Sequence, residues 1–275
     1  MGIQVAVYNL IAVDMDGTLL NSEHHISLRG KQAIKDVLQR GKQVVFATGR
    51  CLAEMGEYLA EFPDMRYLIC ENGASVVDLK EKRNLYRAPL DPALTERVIR
   101  AVEKEDVLVS FFIGNRSFMD AAGVARLAEY GLEGYVDVLE NTLVRVPSLF
   151  AFYRDNPLEA EKITLYFKDA STRNRVKGKL SGMPLQLAGS IAGNLEISAS
   201  GVNKGAGLRK LCESLNLPLS EVIAVGDGNN DREMLQAAGL PVAMANAVPE
   251  LKRFAKRTAP DCDHDGAAVI IEEYM

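Results

Sequence analysis

Histidine and cysteine are scarce in this 275-residue chain, with three of one and four of the other. Cys51, Cys70, Cys212 and Cys262 form no C-x-x-C pair, and none stands at ligand spacing from His24, His25 or His264. A histidine-based zinc site is therefore not expected, and the cysteines read as free thiols of a reducing compartment. No apolar run approaches about 18 residues, which excludes a transmembrane helix. The opening MGIQVAVYNLIAVDMDG has neither a basic leader region nor a small-residue cleavage site, and its apolar stretch is broken by Gln4, Asn9 and Asp14. Ala6 stands where the myristoylation pattern needs Ser or Thr. A cytoplasmic protein is expected. Positive charge is also short: 32 Lys and Arg face 37 Asp and Glu, leaving −5. That balance argues against non-specific partners such as nucleic acid or an anionic membrane. It leaves room for a phosphorylated small molecule, because one bound metal or a few local cations reverse the sign of a pocket.

What is present is ordinary globular material. At 48% hydrophobic and 25% charged residues, the chain can bury a sizeable core without disulfides or a structural metal. Its length suits about two domains of roughly 150 residues. Tyr8 to Val13 reads as a buried strand, ending abruptly in DMDGT. A helix is expected from Ser27, with Ala33, Ile34, Val37 and Leu38 at helical spacing and Gly41 at its end. The strand QVVFA, a helix through Leu52, Met55, Leu59 and Phe62, and the strand YLIC follow. This alternation predicts a parallel sheet with crossover helices. The rhythm returns after residue 200: a helix over Asn203 to Leu215, the strand EVIAV running into GDGNND, a helix through Met234 and Leu235, a PVAM strand and a helix after Pro249. Between these regions lie short strands, VLVSFFI and KITLYFK, and helical stretches over Pro92 to Glu103 and Ala121 to Leu132. The expected fold class is α/β, a Rossmann-like parallel sheet formed by residues 1–84 and 196–275, with an α+β unit inserted over residues 85–195.

Three polar clusters each stand just past the end of an expected parallel strand: DMDGT (Asp14 to Thr18), Thr48-Gly49-Arg50 and GDGNND (Gly226 to Asp231). Ligands of open α/β sheets bind outside such strand ends, where strand order reverses. Asp14 and Asp16, at alternate positions, point to the same side. Two carboxylates that close need a metal or a proton between them, and so can supply a nucleophile and an acid. Asp14 leaves the buried strand directly and is the rigid member; Asp16 lies further out, where a proton can exchange. Taken alone, D-x-D-G-T also fits a polar turn with solvated aspartates. Asp227 and Asp231 bring further carboxylates, and an all-oxygen set with phosphate suits Mg²⁺; the same residues fit a tight surface turn. Asn230 can donate to phosphate oxygens. Thr48 and Gly49 ahead of a helix make a small anion site, a weak signal for a lone tripeptide. Lys204 stands in the first turn of a helix, where it opposes the helix dipole. That placement is useful if it faces a phosphate and is otherwise a solvated charge.

The order of these clusters resembles the four motifs of the haloacid dehalogenase superfamily of phosphatases. ENGA (Glu71 to Ala74), LEIS (Leu195 to Ser198), GVNKG (Gly201 to Gly205) and VAMANA (Val242 to Ala247) extend the resemblance to its Cof-type branch over nearly the whole chain. Ala268 in DHDGAA departs by one apolar step from the branch's D-G-V-A. The resemblance implies that the insert is a cap. It also implies that Asp14 attacks phosphorus to form an aspartyl phosphate, and that Asp16 protonates the leaving alcohol and then activates water. Mg²⁺ would be bound by the Asp14 carboxylate, the Asp16 backbone carbonyl and Asp227. Thr48, Gly49, Lys204, Asn230 and the Met15 backbone N–H would hold phosphate oxygens, and Asp231 would orient Lys204 or metal-bound water. Arg50 would touch substrate or pair with a carboxylate. The implied substrates are small phosphorylated metabolites, sugar phosphates or related monoesters. A phosphomutase shares the same chemistry, differing in shielding its intermediate from water, and a phosphate-binding sensor would keep the fold without turnover. Neither oligomeric state nor the particular metabolite follows from these residues.

Overall fold

The computed structural model describes residues 7–132, 141–156, 158–189 and 193–275. Gln4 and Ala6 lie outside them, as do the parts of the expected insert at 133–140, 157 and 190–192. Two compact units are present. One comprises residues 7–49, 57–86 and 203–275, the other residues 50–56 and the described part of 87–202.

The first unit is built on an eight-stranded sheet. Its strands are β1 (Leu10–Val13), β2 (Gln43–Ala47), β3 (Tyr67–Cys70), β4 (Ser75–Asp78), β5 (Arg83–Arg87), β12 (Val222–Gly226), β13 (Leu240–Met244) and β14 (Arg257–Ala259). Their order is β14-β13-β12-β1-β2-β3-β4-β5. Pairing is parallel from β14 through to β3, and β4 returns antiparallel. The apolar runs read from sequence are the strands of its centre: every residue of LIAV in β1 and VIAVG in β12 is buried, as a sheet covered on both faces requires. Helix α1 (Leu28–Gln39) starts where expected, with the Ser27 hydroxyl accepting from the Gly30 N–H at 3.0 Å. The helix expected through Leu52 to Phe62 is two short pieces, a 3-10 turn (Leu52–Met55) and α2 (Gly56–Ala60). Gly56 stands at their junction and weakens helical continuity.

The second unit has a six-stranded sheet of order β10-β11-β9-β6-β7-β8. The strands are β6 (Val107–Ile113), β7 (Arg116–Asp120), β8 (Val144–Val146), β9 (Lys162–Phe167), β10 (Leu185–Ala188) and β11 (Asn194–Ala199). Helices α3 (Pro92–Val102), α5 (Leu149–Asp155) and α6 (Ala170–Leu180) pack on one face through Val98, Ile99, Leu149, Tyr153, Val176 and Leu180. The boundary drawn at 195/196 falls inside β11, which pairs wholly within this sheet. The stretch expected to be helical over Ala121 to Leu132 is α4 (Ala121–Val124) and a separate 3-10 turn, Leu127–Tyr130. Arg126 between them leaves helical geometry at φ −110 and ψ 6, and Gly131 ends the turn at φ 70. The remaining helices belong to the first unit: α7 (Lys204–Leu215), α8 (Arg232–Ala237), α9 (Pro249–Lys252) and α10 (Gly266–Tyr274). Among the described residues, no helix is long and apolar enough to cross a membrane.

Candidate active site

Strand order reverses at β1. The chain runs outward through β2 and β3 on one side and through β12, β13 and β14 on the other. The carboxyl ends of β1, β2, β3 and β12 therefore open side by side at a switch point. Asp14 follows β1 directly, and its N–H still donates to the Val225 carbonyl at 3.0 Å, so it inherits the rigidity of the sheet. The chain then turns tightly, and the Met15 carbonyl accepts from the N–H groups of Leu19 at 3.0 Å and Leu20 at 2.9 Å. Gly17 holds the turn with φ +79, and a Cβ there would lie 2.6 Å from Asp227 Oδ2. Only glycine lets the turn pass so close to that carboxylate. Thr18 Oγ1 donates to Asp227 Oδ1 at 3.0 Å, tying the end of β1 to the end of β12.

Lys204 is the first residue of α7, which Asn203 caps by accepting from the Ala206 N–H at 2.8 Å. Its side chain is fully buried. The ammonium donates to Asp14 Oδ1 and, at 2.6 Å, to Asp231 Oδ1. The other oxygen of Asp231 accepts from the N–H groups of Asp227 at 3.0 Å and Gly228 at 2.9 Å. Asp231 thus spends both oxygens holding Lys204 and the GDGNND turn. One carboxylate oxygen each from Asp14, Asp227 and Asp231 lie within 4.8 Å of one another. Burial, reinforced by repulsion from Asp231 and Asp227, pushes the Asp14 carboxyl well above the usual range even with Lys204 opposing the shift. Burial and Asp231 push Asp227 upward too. Burial alone would lower Lys204, but the attraction of Asp14 and Asp231 outweighs it and keeps the ammonium charged.

Asp16 is different in kind. Its side chain is 41% exposed, and Oδ1 lies 3.7 Å from His24 Nδ1. Of the phosphate-holding candidates, Thr48 is buried at the end of β2, donating from its N–H to the Ile69 carbonyl at 2.9 Å. Its own carbonyl accepts from the Asn72 N–H at 3.0 Å. Asn230 Nδ2 donates to Asn72 Oδ1 at 3.3 Å. Gly49 closes the first stretch of the first unit, and Arg50 opens the stretch that belongs to the second. Three contributors escaped the sequence reading. Thr18 sits inside DMDGT, Asn72 inside ENGA, and Asn246, whose Nδ2 donates to the Gly17 carbonyl at 2.7 Å, inside VAMANA. Each motif was visible, but the bond each side chain makes depends on which strand ends are neighbours.

The family model for haloacid dehalogenase-like hydrolases matches residues 11–271. The chain is a haloacid dehalogenase-like hydrolase. It falls on the Cof-type branch, as the order of its motifs implies, and it is an enzyme of the phosphoric monoester hydrolase class. This hydrolase is 29% identical to the phosphatase YwpJ of Bacillus subtilis over 97% of its own length and 99% of that protein's. It is 32% identical to the HMP-PP phosphatase of Citrobacter koseri, over 88% and 86% of the two chains. The solved structure of a haloacid dehalogenase-like hydrolase from B. subtilis matches it with a TM-score of 0.84 and 27% identity, covering 97% of this chain and 100% of that one.

The hydrolase's residues fit a hard divalent cation. Three clustered carboxylates share one buried ammonium, so among the described residues of this cluster negative charge is in excess by two, and all the donor atoms are oxygen. The raised Asp14 and Asp227 carboxyls are the electrostatic sign of that excess. Asp231 already accepts from Lys204 and from the N–H groups of Asp227 and Gly228.

Proposed function

We propose that this enzyme is a Mg²⁺-dependent phosphatase of small phosphorylated metabolites, sugar phosphates or related monoesters, acting in the cytoplasm through an aspartyl phosphate on Asp14. The observation that carries the reading is the pairing of a buried, fixed carboxylate, Asp14 on Lys204, with a second, partly exposed one two residues on, Asp16. A covalent phosphatase needs a nucleophile that does not move and an acid that can exchange protons with water. The phosphatase names of its relatives support the same class of reaction.

In this mechanism an Asp14 carboxylate oxygen attacks phosphorus in line as the bond to the substrate oxygen breaks. Asp16 gives its proton to that departing oxygen. Asp16, now a carboxylate, then takes a proton from water as the water oxygen attacks phosphorus and the Asp14–phosphorus bond breaks, releasing phosphate. Lys204, Thr48, Gly49, Asn230 and the Met15 N–H neutralise and position the phosphoryl oxygens, which is most of what phosphoryl transfer asks of a protein. Asp231 keeps Lys204 in place. Mg²⁺ would be held by the Asp14 carboxylate, the Asp16 carbonyl and Asp227, and when bound supplies charge neutralisation between carboxylates and phosphate. Arg50 either touches substrate or pairs with a carboxylate.

Phosphate release from a panel of phosphorylated metabolites tests the reading. Turnover should require Mg²⁺, and Asp14→Asn should reduce it by several powers of ten, on the order of other losses of a covalent nucleophile. Activity that persists in EDTA or in Asp14→Asn would falsify the mechanism.

A further inference from the structure

Glu71, Asn72 and Gly73, in the ENGA segment, follow β3 with φ of 53, 55 and 91. Three residues in a row with left-handed backbone are uncommon, and only glycine takes that conformation freely. Such backbone persists where surrounding contacts dictate it, and it gathers at functional sites. All three residues are buried.

The contacts that dictate this arch run to three separate stretches of the first unit. Towards β2, strand pairing continues past its last register pair, Ala47 with Ile69. The Thr48 N–H donates to the Ile69 carbonyl at 2.9 Å, and the Thr48 carbonyl accepts from the Asn72 N–H at 3.0 Å. Towards α7, a Cβ on Gly207 would lie 2.9 Å from the Gly73 Cα. Towards the GDGNND turn, Asn72 Oδ1 accepts from Asn230 Nδ2 at 3.3 Å. An amide has a donor end and an acceptor end. Asn230 Oδ1 lies back against Gly228, where a Cβ would come within 2.6 Å of it. Its Nδ2 is the end that faces Asn72. One Nδ2 proton is used there, and the second is left for a phosphoryl oxygen. Turned over, the same amide would set its own oxygen against the oxygens of the anion.

We propose that Asn72 is a positioning residue of the phosphate site: anchored through its backbone to Thr48, it holds the amide of Asn230 with the donor end forward. The proposal rests on the reading above in which Asn230 holds a phosphoryl oxygen. The residue type meets three demands together. Asparagine visits left-handed backbone more readily than most residues with a side chain. Glycine would suit that backbone but offer no acceptor. Aspartate would offer the acceptor but set a negative charge one amide away from the anion.

Titration calorimetry of inorganic phosphate into the intact protein with Mg²⁺ tests this, in a cycle of Asn72→Gly, Asn230→Ala and the double variant. The same cycle is read in kcat/KM for a phosphate ester. Asn72→Gly keeps the left-handed backbone, and urea titration should show the fold unharmed. Each single substitution should weaken phosphate about fivefold, the scale of one lost hydrogen bond. If Asn72 acts through Asn230, the double variant also loses only about fivefold, whereas independent effects would multiply to about 25-fold. Multiplied losses, or an Asn72→Gly variant with wild-type phosphate affinity, overturn the proposal. Should Asn72→Gly prove unstable, Asn72→Asp decides, since it keeps both backbone and acceptor. Its charge should weaken phosphate at least about tenfold, and an unchanged affinity overturns the proposal. Release of phosphate from esters by wild type reports on the phosphatase reading separately. Coupled phosphate binding without turnover sinks that reading and leaves the positioning role standing; turnover without coupling does the reverse. If wild type neither binds phosphate nor hydrolyses an ester, both fail.

Discussion

Lys204 and Asp16 differ in burial, and the proposed mechanism gives them different work. Lys204 is fully enclosed and held by two carboxylates, so its position is set by the fold and its charge by its neighbours. Removing Lys204 would leave the clustered carboxylates with no ammonium between them, the most expensive kind of vacancy in a protein interior. Asp16 stands in partial contact with water. Asp16→Asn should therefore leave the buried cluster and Mg²⁺ affinity nearly intact while slowing turnover about 10²–10⁴-fold, the usual range for a lost general acid. The loss should be smaller for p-nitrophenyl phosphate, whose leaving group needs little protonation. Equal losses for aryl and alkyl esters, with dephosphorylation of the enzyme shown not to limit either, would remove Asp16 from the acid's role.

The elements explain how separate stretches of sequence reach one place. Gly73, just past β3, has φ +91, and a Cβ there would lie 2.1 Å from the Asn203 carbonyl oxygen. The turn after β3 is thus pressed against the cap of α7, one residue before Lys204. Gly73→Ala should lower unfolding free energy by about 2–5 kcal/mol, combining positive-φ strain with overpacking. Gly41 also has positive φ but meets nothing within 4 Å, so Gly41→Ala should cost only the strain, about 1–2 kcal/mol. Urea titrations of the two variants check the difference; equal losses would mean that the contact with α7 does not matter. The strands β1, β2, β3 and β12 were readable because strands buried on both faces are apolar throughout, and the acidic and threonine clusters were readable because they interrupt those runs. The splitting of the helices at Gly56 and Arg126 was not, since local apolar spacing there fits a continuous helix. Nor was the bond from Asn230 to Asn72, which joins turns 158 residues apart.

Among the described residues, each of the two units is built on a sheet of its own. Mg²⁺ should consequently stabilise the unit that holds the acidic cluster. By mass action the gain is about 2.7 kcal/mol at a hundred times Kd, and calorimetry should show it as an upward shift of one transition. Its pH dependence follows from the raised carboxyls of Asp14 and Asp227. A carboxyl raised in the metal-free fold contributes stability that is complete below its unfolded value, near pH 4, and lost as pH rises through its folded value. Mg²⁺ bound at these carboxylates would compete with those protons. The metal-induced shift should thus be largest at about pH 8 and shrink progressively towards about pH 4.5. A shift that is constant over this range would place the metal away from these two residues. The expected division into a parallel-sheet unit and an α+β insertion rests on the change of texture along the chain. The burial of Lys162, Thr164, Glu196 and Ser198 was not legible, because hydroxyl and charged residues alternating in a strand look the same whether they meet solvent or lie buried.

The position of β1 at the reversal of strand order also bears on how the protein is made. One neighbour, β2, follows it by about 33 residues, and the other, β12, by about 212. At a translation rate of about 5–20 residues per second, some 10–40 seconds pass before the second edge can be covered. Through that interval the ribosome displays an apolar strand with one bare side, ending at Asp14. The growing polypeptide depends during synthesis on whatever shields that edge, and the acidic cluster is completed only when Asp227 and Asp231 leave the exit tunnel.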